Sequence, residues 1–201
     1  MSAEKVRELE MQIYELGQQL HQLRKEAEPA EVPDYPFQTL AGTTSLGEMF
    51  AGHDRLMVIH NMGQGCRYCT VWADGINPFL PHLETAMSVV LVSRDDPALQ
   101  RRFANERGWR FRMASHGGGD YIREQSTEPE QVNAPGVVCY QRKDGKIYRL
   151  GGSSFGPGDQ YCSLWPLLSL AGLGTEDWTP QFSYWKRPEK MDDGGANLND
   201  Q

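Results

Sequence analysis

The sequence predicts an α/β fold, a central mixed sheet flanked by helices, with an N-terminal helical extension. Three observations predict it. Leu56-Met57-Val58-Ile59 and Ser88-Val89-Val90-Leu91-Val92-Ser93 are short apolar runs of the kind that form strands covered on both faces. Each run is followed by a stretch with helical signals, and strand, helix, strand, helix reads as a βαβ unit. Farther on, Gly136 to Tyr140 and Lys146 to Leu150 flank Asp144-Gly145, a hairpin signal that adds antiparallel strands to the parallel ones.

The elements follow in order. Val6, Leu9, Ile13, Leu16, Leu20 and Leu23 recur at spacings of 3, 4, 3, 4 and 3, a heptad stripe. It predicts one helix from Ala3 to Ala27, stopped near Pro29. About three heptads are marginal alone, so the stripe needs a cover: a second copy of the helix or the domain's own flank. Residues 1–28 are read as this helix and 29–36, with Pro29, Pro33 and Pro36, as an extended linker. The main domain spans 37–187, and 188–201 is read as a disordered polar tail. Within the domain, Phe37 to Phe50 gives a strand, a turn and a short helical turn. Thr70 to Asn77 is a helix that Pro78 and Pro81 kink or restart. Asp96 to Gly108 is a helix, with Asp95 as its cap. Ala114 to Asn133 reads as a polar loop, Gly151 to Gly158 as a glycine-rich loop, and Tyr161 to Leu170 as a last helix.

Composition narrows the function. The 201 residues are 39% hydrophobic, enough for one domain with a real core. A net charge of -7 argues against phosphate backbones and so against nucleic acid. No apolar run reaches the roughly 20 residues that cross a bilayer, and the charged N-terminus lacks a signal core. The expectation is a cytoplasmic protein with no membrane partner. Four cysteines, Cys66, Cys69, Cys139 and Cys162, are too few for a disulfide-stapled scaffold.

Cys66-Arg67-Tyr68-Cys69 falls where an apolar strand gives way to a helix. There the unpaired N–H groups and the helix dipole favour a thiolate, and Arg67 adds a positive charge. Cys69, one turn on, can attack a mixed disulfide at Cys66 and release the product. Cys66 is thus the candidate nucleophile and Cys69 the resolving thiol. Structural zinc would need four ligands, and His60, His82, Cys139 and Cys162 offer no second tight pair. No metal and no bound cofactor are expected.

The order of elements around this pair resembles the thioredoxin superfamily. The run Gly65-Cys66-Arg67-Tyr68-Cys69-Thr70-Val71-Trp72-Ala73-Asp74-Gly75 is similar to a bacterial thioredoxin-like family of unknown function with a G-C-x-x-C-x-x-W-A-D-G signature. The resemblance covers about Phe37 to Leu170 and implies a thioredoxin-like sheet. It makes Pro135 the counterpart of the superfamily's cis-proline, which sits beside the pair and helps hold substrate. Arg67, Tyr68 and Trp72 complete the expected substrate-binding set. The chain departs from thioredoxins in having Gly65 before the pair and Arg67-Tyr68 within it, which alters access and redox poise. His60 stands where thioredoxins carry a buried acid. It is either a proton shuttle for Cys69 or a satisfied core histidine. A peroxiredoxin pattern would need Pro at 59 and Ser or Thr at 63, where the chain has Ile59 and Gly63. Asp74 holds its helix to the sheet or lines the cleft. His116 and Tyr121 lie in a loop that is solvated or covers the pair as a lid, and Cys139 and Cys162 are read as packing residues. The function expected is thiol–disulfide exchange on a protein or small-molecule disulfide, with an external reductant. The alternative is a non-enzymatic redox-responsive or partner-binding module, and the N-terminal helix is expected to make a homodimer.

Overall fold

A computed structural model describes residues 3–128 and 130–181. The expected tail at 188–201 lies outside the described residues. The chain opens with α1 (Ala3–Glu26), β1 (Ala30–Val32), β2 (Pro36–Thr39) and β3 (Gly42–Ser45). A 3-10 turn at Glu48–Phe50 leads into β4 (Arg55–His60), α2 (Arg67–Ile76), α3 (Leu80–Leu83) and β5 (Ser88–Ser93). Then come α4 (Pro97–Arg107), β6 (Arg112–Ser115), α5 (Asp120–Gln125), β7 (Gly136–Lys143), β8 (Lys146–Ser154) and α6 (Leu164–Leu170).

The eight strands form one sheet in the order β1-β8-β7-β4-β5-β6-β2-β3. β4, β5 and β6 are parallel, and the remaining pairings are antiparallel. The mixed sheet flanked by helices is the thioredoxin-like fold. Strand alternation splits the core in two. Leu56 and Val58 of β4, Val90 and Val92 of β5 and Tyr140 of β7 pack on one face with Phe37, Tyr121 and Ile122. Ile59, Val89 and Leu91 point to the other, where Trp72, Ala73, Ala104 and Trp165 bring in α2, α4 and α6. Every residue of β5 is buried, which explains its unbroken apolar reading.

Four local readings need correction. The segment read as a linker is extended, but Ala30–Val32 pairs with β8 at the sheet edge. The loop read at Ala114 to Asn133 contains the end of β6 and the whole of α5. Both are too short and too polar to show a period, and α5 buries only Tyr121, Ile122 and Gln125. The glycine-rich loop read from Gly151 continues β8 to Ser154. Gly152 is required there by contact: a Cβ would meet the Val137 carbonyl oxygen at 2.8 Å. Finally, α4 is capped by Asp96, whose Oδ1 accepts from the Ala98 N–H at 2.8 Å, with Pro97 following at the first helical position. Asp95 turns instead to the cysteine loop.

A candidate thiol site at the sheet edge

The carboxyl ends of β4, β5 and β6 and the start of β7 meet at one end of the central strands. The loop from β4 to α2 is held there through its backbone. Asn61 N–H donates to the Val92 carbonyl at 2.9 Å, and Asn61 Oδ1 accepts from Gly63 N–H at 2.8 Å. Asp95 Oδ2 accepts from Gln64 N–H at 2.8 Å. Gly63 has φ +116°, and a Cβ there would lie 2.7 Å from Asp95 Oδ1. Both the backbone angle and the carboxylate therefore demand glycine.

This loop delivers Cys66 to the N-cap of α2. Its Sγ accepts from the Cys69 N–H at 3.2 Å, and the Cys69 thiol donates to it with the sulfurs 2.6 Å apart. The Cys69 thiol, and behind it the N–H groups of Cys69 and Tyr68, pull the Cys66 pKa down to about 6 against the opposing effect of burial. Cys69 is 3% exposed, and the hydrogen bond it donates, followed by burial, raises its own pKa. Met62 N–H donates to Cys69 Sγ at 3.4 Å. The pair is therefore asymmetric, with an outer thiol set to ionise and an inner thiol that keeps its proton. Cys66, Cys69, Cys139 and Cys162 are all free thiols.

The other sequence candidates lie around this pair. Arg67 is exposed at the start of α2. Half-buried Tyr68 tilts against Trp72 at 6.4 Å. Trp72 is 2% exposed, stacks on Phe155 at 5.7 Å, and donates its Nε1–H to Asp159 Oδ2 at 2.8 Å. Asp74 holds its helix: it accepts from Arg107 Nε at 3.0 Å and from Trp109 Nε1 at 2.7 Å. Pro135 precedes Gly136, the register partner of His60, so it flanks the end of β4. No peptide bond among the described residues is cis, so the bond before Pro135 is trans, unlike its superfamily counterpart. The Pro135 carbonyl accepts from Phe155 N–H at 2.9 Å.

His60 ends β4 on the face opposite α2, 2% exposed, with its Nε2 2.7 Å from the Tyr121 hydroxyl. Its Nδ1 is buried without a hydrogen-bond partner. Burial, then the nearby His116 and Arg149, push its pKa down to about 3. His116 follows β6 and is 5% exposed; burial leads in lowering its pKa to about 4. Neither His116 nor Tyr121 is part of a solvated loop or a lid, because both are core residues. The sequence had no local signal for them, nor for Asp95. Each joins the site through contacts across strands.

A thioredoxin-like sheet with a polarised dithiol at the N-cap of α2 defines the class. The chain belongs to the bacterial family of unknown function DUF899, whose family model matches residues 4–191. Solved structures are similar in fold. The bacterioferritin comigratory protein of Xanthomonas campestris, a structure concerned with alkyl peroxide reduction, is 16% identical with a TM-score of 0.54, covering 72% of this chain and 98% of that one. Reduced Prx3 from Vibrio vulnificus is 12% identical with a TM-score of 0.52, covering 73% and 99%. A cysteine mutant of Xanthomonas campestris peroxiredoxin Q is 18% identical with a TM-score of 0.54, covering 71% and 97%. At these identities the likeness is one of fold. No curated protein matches the chain. No helix among the described residues is long and apolar enough to cross a membrane, and no cluster of three or more metal-ligating side chains occurs among them.

Proposed function

We propose that the protein is a thiol–disulfide oxidoreductase in which Cys66 attacks and Cys69 resolves. The observation that carries this reading is the half-buried Cys66, with a pKa lowered to about 6, backed by a buried Cys69 that still holds its proton. The Cys66 thiolate attacks one sulfur of a substrate disulfide, forming a mixed disulfide and expelling the other half as a thiolate. Cys66 then no longer accepts the Cys69 hydrogen bond. The Cys69 proton leaves to water, and the new thiolate attacks Cys66 Sγ. The second substrate thiol departs, and Cys66 and Cys69 are left oxidised. An external dithiol returns them to the reduced state, so the cycle calls for no bound cofactor. Arg67, Tyr68 and Pro135 border the approach to Cys66, and Trp72 backs Tyr68. The four free cysteines suit the reducing cytoplasm. A second copy of the chain is the proposed partner of α1.

The test is turnover of an aromatic disulfide with dithiothreitol as the external reductant. Cys66→Ser should abolish turnover above background. Cys69→Ser should trap a mixed disulfide at Cys66, visible as an added mass. Full turnover in Cys66→Ser would refute the assignment of the nucleophile.

A further inference from the structure

A file of buried side chains runs from His60 across the core to the surface. His60 Nε2 lies 2.7 Å from the Tyr121 hydroxyl, which lies 3.2 Å from that of Tyr140. Tyr140 Oη is 3.2 Å from Gln125 Oε1, Gln125 Nε2 is 3.0 Å from Tyr35 Oη, and Tyr35 Oη is 2.6 Å from Glu124 Oε2. Each of the five side chains before Glu124 is at most 5% exposed. We propose that this file fixes His60 in the Nε2–H tautomer and leaves Nδ1 as a bare, buried acceptor at the end of β4. Tyr121 and Tyr140 are then positioning residues.

The direction follows from counting protons. A hydroxyl has one proton to donate, and a carboxylate has none. Tyr35 must therefore donate to exposed Glu124, and its oxygen accepts from Gln125 Nε2. That orients the amide with Oε1 toward Tyr140, a setting reinforced by Arg149 Nη1 at 3.5 Å from the same oxygen. Tyr140 donates to Gln125 Oε1 and so accepts from Tyr121. Tyr121 has spent its proton and can only accept from His60, whose proton must sit on Nε2. The opposite tautomer would place an N–H at Nδ1, where the structure provides no acceptor. It would also make Tyr121 donate to His60 and forfeit the bond to Tyr140. A buried polar group left unpaired costs about 1–3 kcal/mol. Nδ1 is one of five buried side-chain polar atoms among the described residues without a hydrogen-bond partner, and the Nε2–H tautomer leaves it a bare acceptor with no N–H to satisfy.

The tautomer itself is tested without any turnover. Long-range proton–nitrogen NMR on the histidine-labelled full chain, with His60→Gln for assignment, reports which nitrogen is protonated. The wild type should show the proton on Nε2 of a neutral ring. Tyr140→Phe removes the acceptor of the Tyr121 proton, so the Nε2–H tautomer loses its advantage and the Nδ1–H form should become populated beside it. A wild-type proton on Nδ1, or on both nitrogens, overturns the proposal even if Tyr140→Phe does not fold. A folded Tyr140→Phe whose tautomer ratio matches the wild type also overturns it. Absence of disulfide turnover, with the tautomer as stated, would remove the oxidoreductase reading and leave the file's role intact.

Discussion

Cys66 and Cys69 are chemically identical and three residues apart, yet the fold shifts their pKa values in opposite directions. One sits half-buried at a helix N-cap with hydrogen bonds aimed at it, and the other lies beneath and donates one of them. Alkylation of Cys66 should therefore follow a midpoint near pH 6, its value in the fold, and not the ordinary thiol value of 9.0. In Cys69→Ala the midpoint should rise, because the largest cause of the lowering is the Cys69 thiol, and the backbone donors alone remain. Mass spectrometry against pH reads both, with Cys139 and Cys162 as internal controls whose pKa values burial pushes up. A wild-type midpoint at the ordinary value would sink the nucleophile assignment. This pair was legible in the sequence because its chemistry is local, three residues across a strand-to-helix junction. Asp95 and Tyr121 were not legible. They reach the site across other strands, and no spacing along the chain records that.

At the scale of elements, α1 stands apart. Its 24 residues include none that is buried, and Val6, Leu9, Ile13, Leu16 and Leu23 are each at least 50% exposed. What ties it down is its C-terminal end, where Arg24 donates to the Tyr161 hydroxyl at 2.6 Å. The stripe itself specifies a form of cover. β-branched Val6 and Ile13 at the first core position of the heptad, with Leu9, Leu16 and Leu23 at the second, favour two parallel strands. In that register Lys5 faces Glu10 of the second copy, opposite charges across the seam. Sedimentation should give a two-copy mass for the full chain, and Leu9→Glu with Leu16→Glu should halve it without changing Cys66 alkylation. A monomeric wild type would end the dimer proposal. Helix α1 was legible because a heptad repeats. Helix α5, six residues long, repeats nothing, and β6, four residues paired to β5 and at one position to β2, is too short to display an alternation.

The whole molecule divides at its sheet into an apolar face that carries α2 and a face whose interior is threaded with polar groups. The apolar runs of β4 and β5 announced both faces at once, which is why the fold class was readable. The polar thread was not, because its members come from β4, α5, β7 and Tyr35 just before β2. Two buried histidines make this interior sensitive to acid. His60 and His116 fall from an ordinary 6.5 to about 3 and about 4 in the fold, with burial as the first cause of each. The unfolded chain takes up these protons below pH 6.5 and the native chain does not, so acid favours unfolding. Their stabilising effect is complete above pH 6.5 and disappears as pH falls through 4 and then 3. For His60 alone the loss by pH 3 is about 4 kcal/mol, a large share of a domain's stability. Denaturant unfolding measured from neutral pH downward should show stability falling steeply across this window. His60→Gln, which cannot titrate, should start less stable at neutral pH and fall with a shallower slope. Parallel slopes for the two proteins would mean that His60 gains its proton freely in the folded state. The interior around Tyr121 would then be open to water, contrary to the closed packing that sets its chemistry.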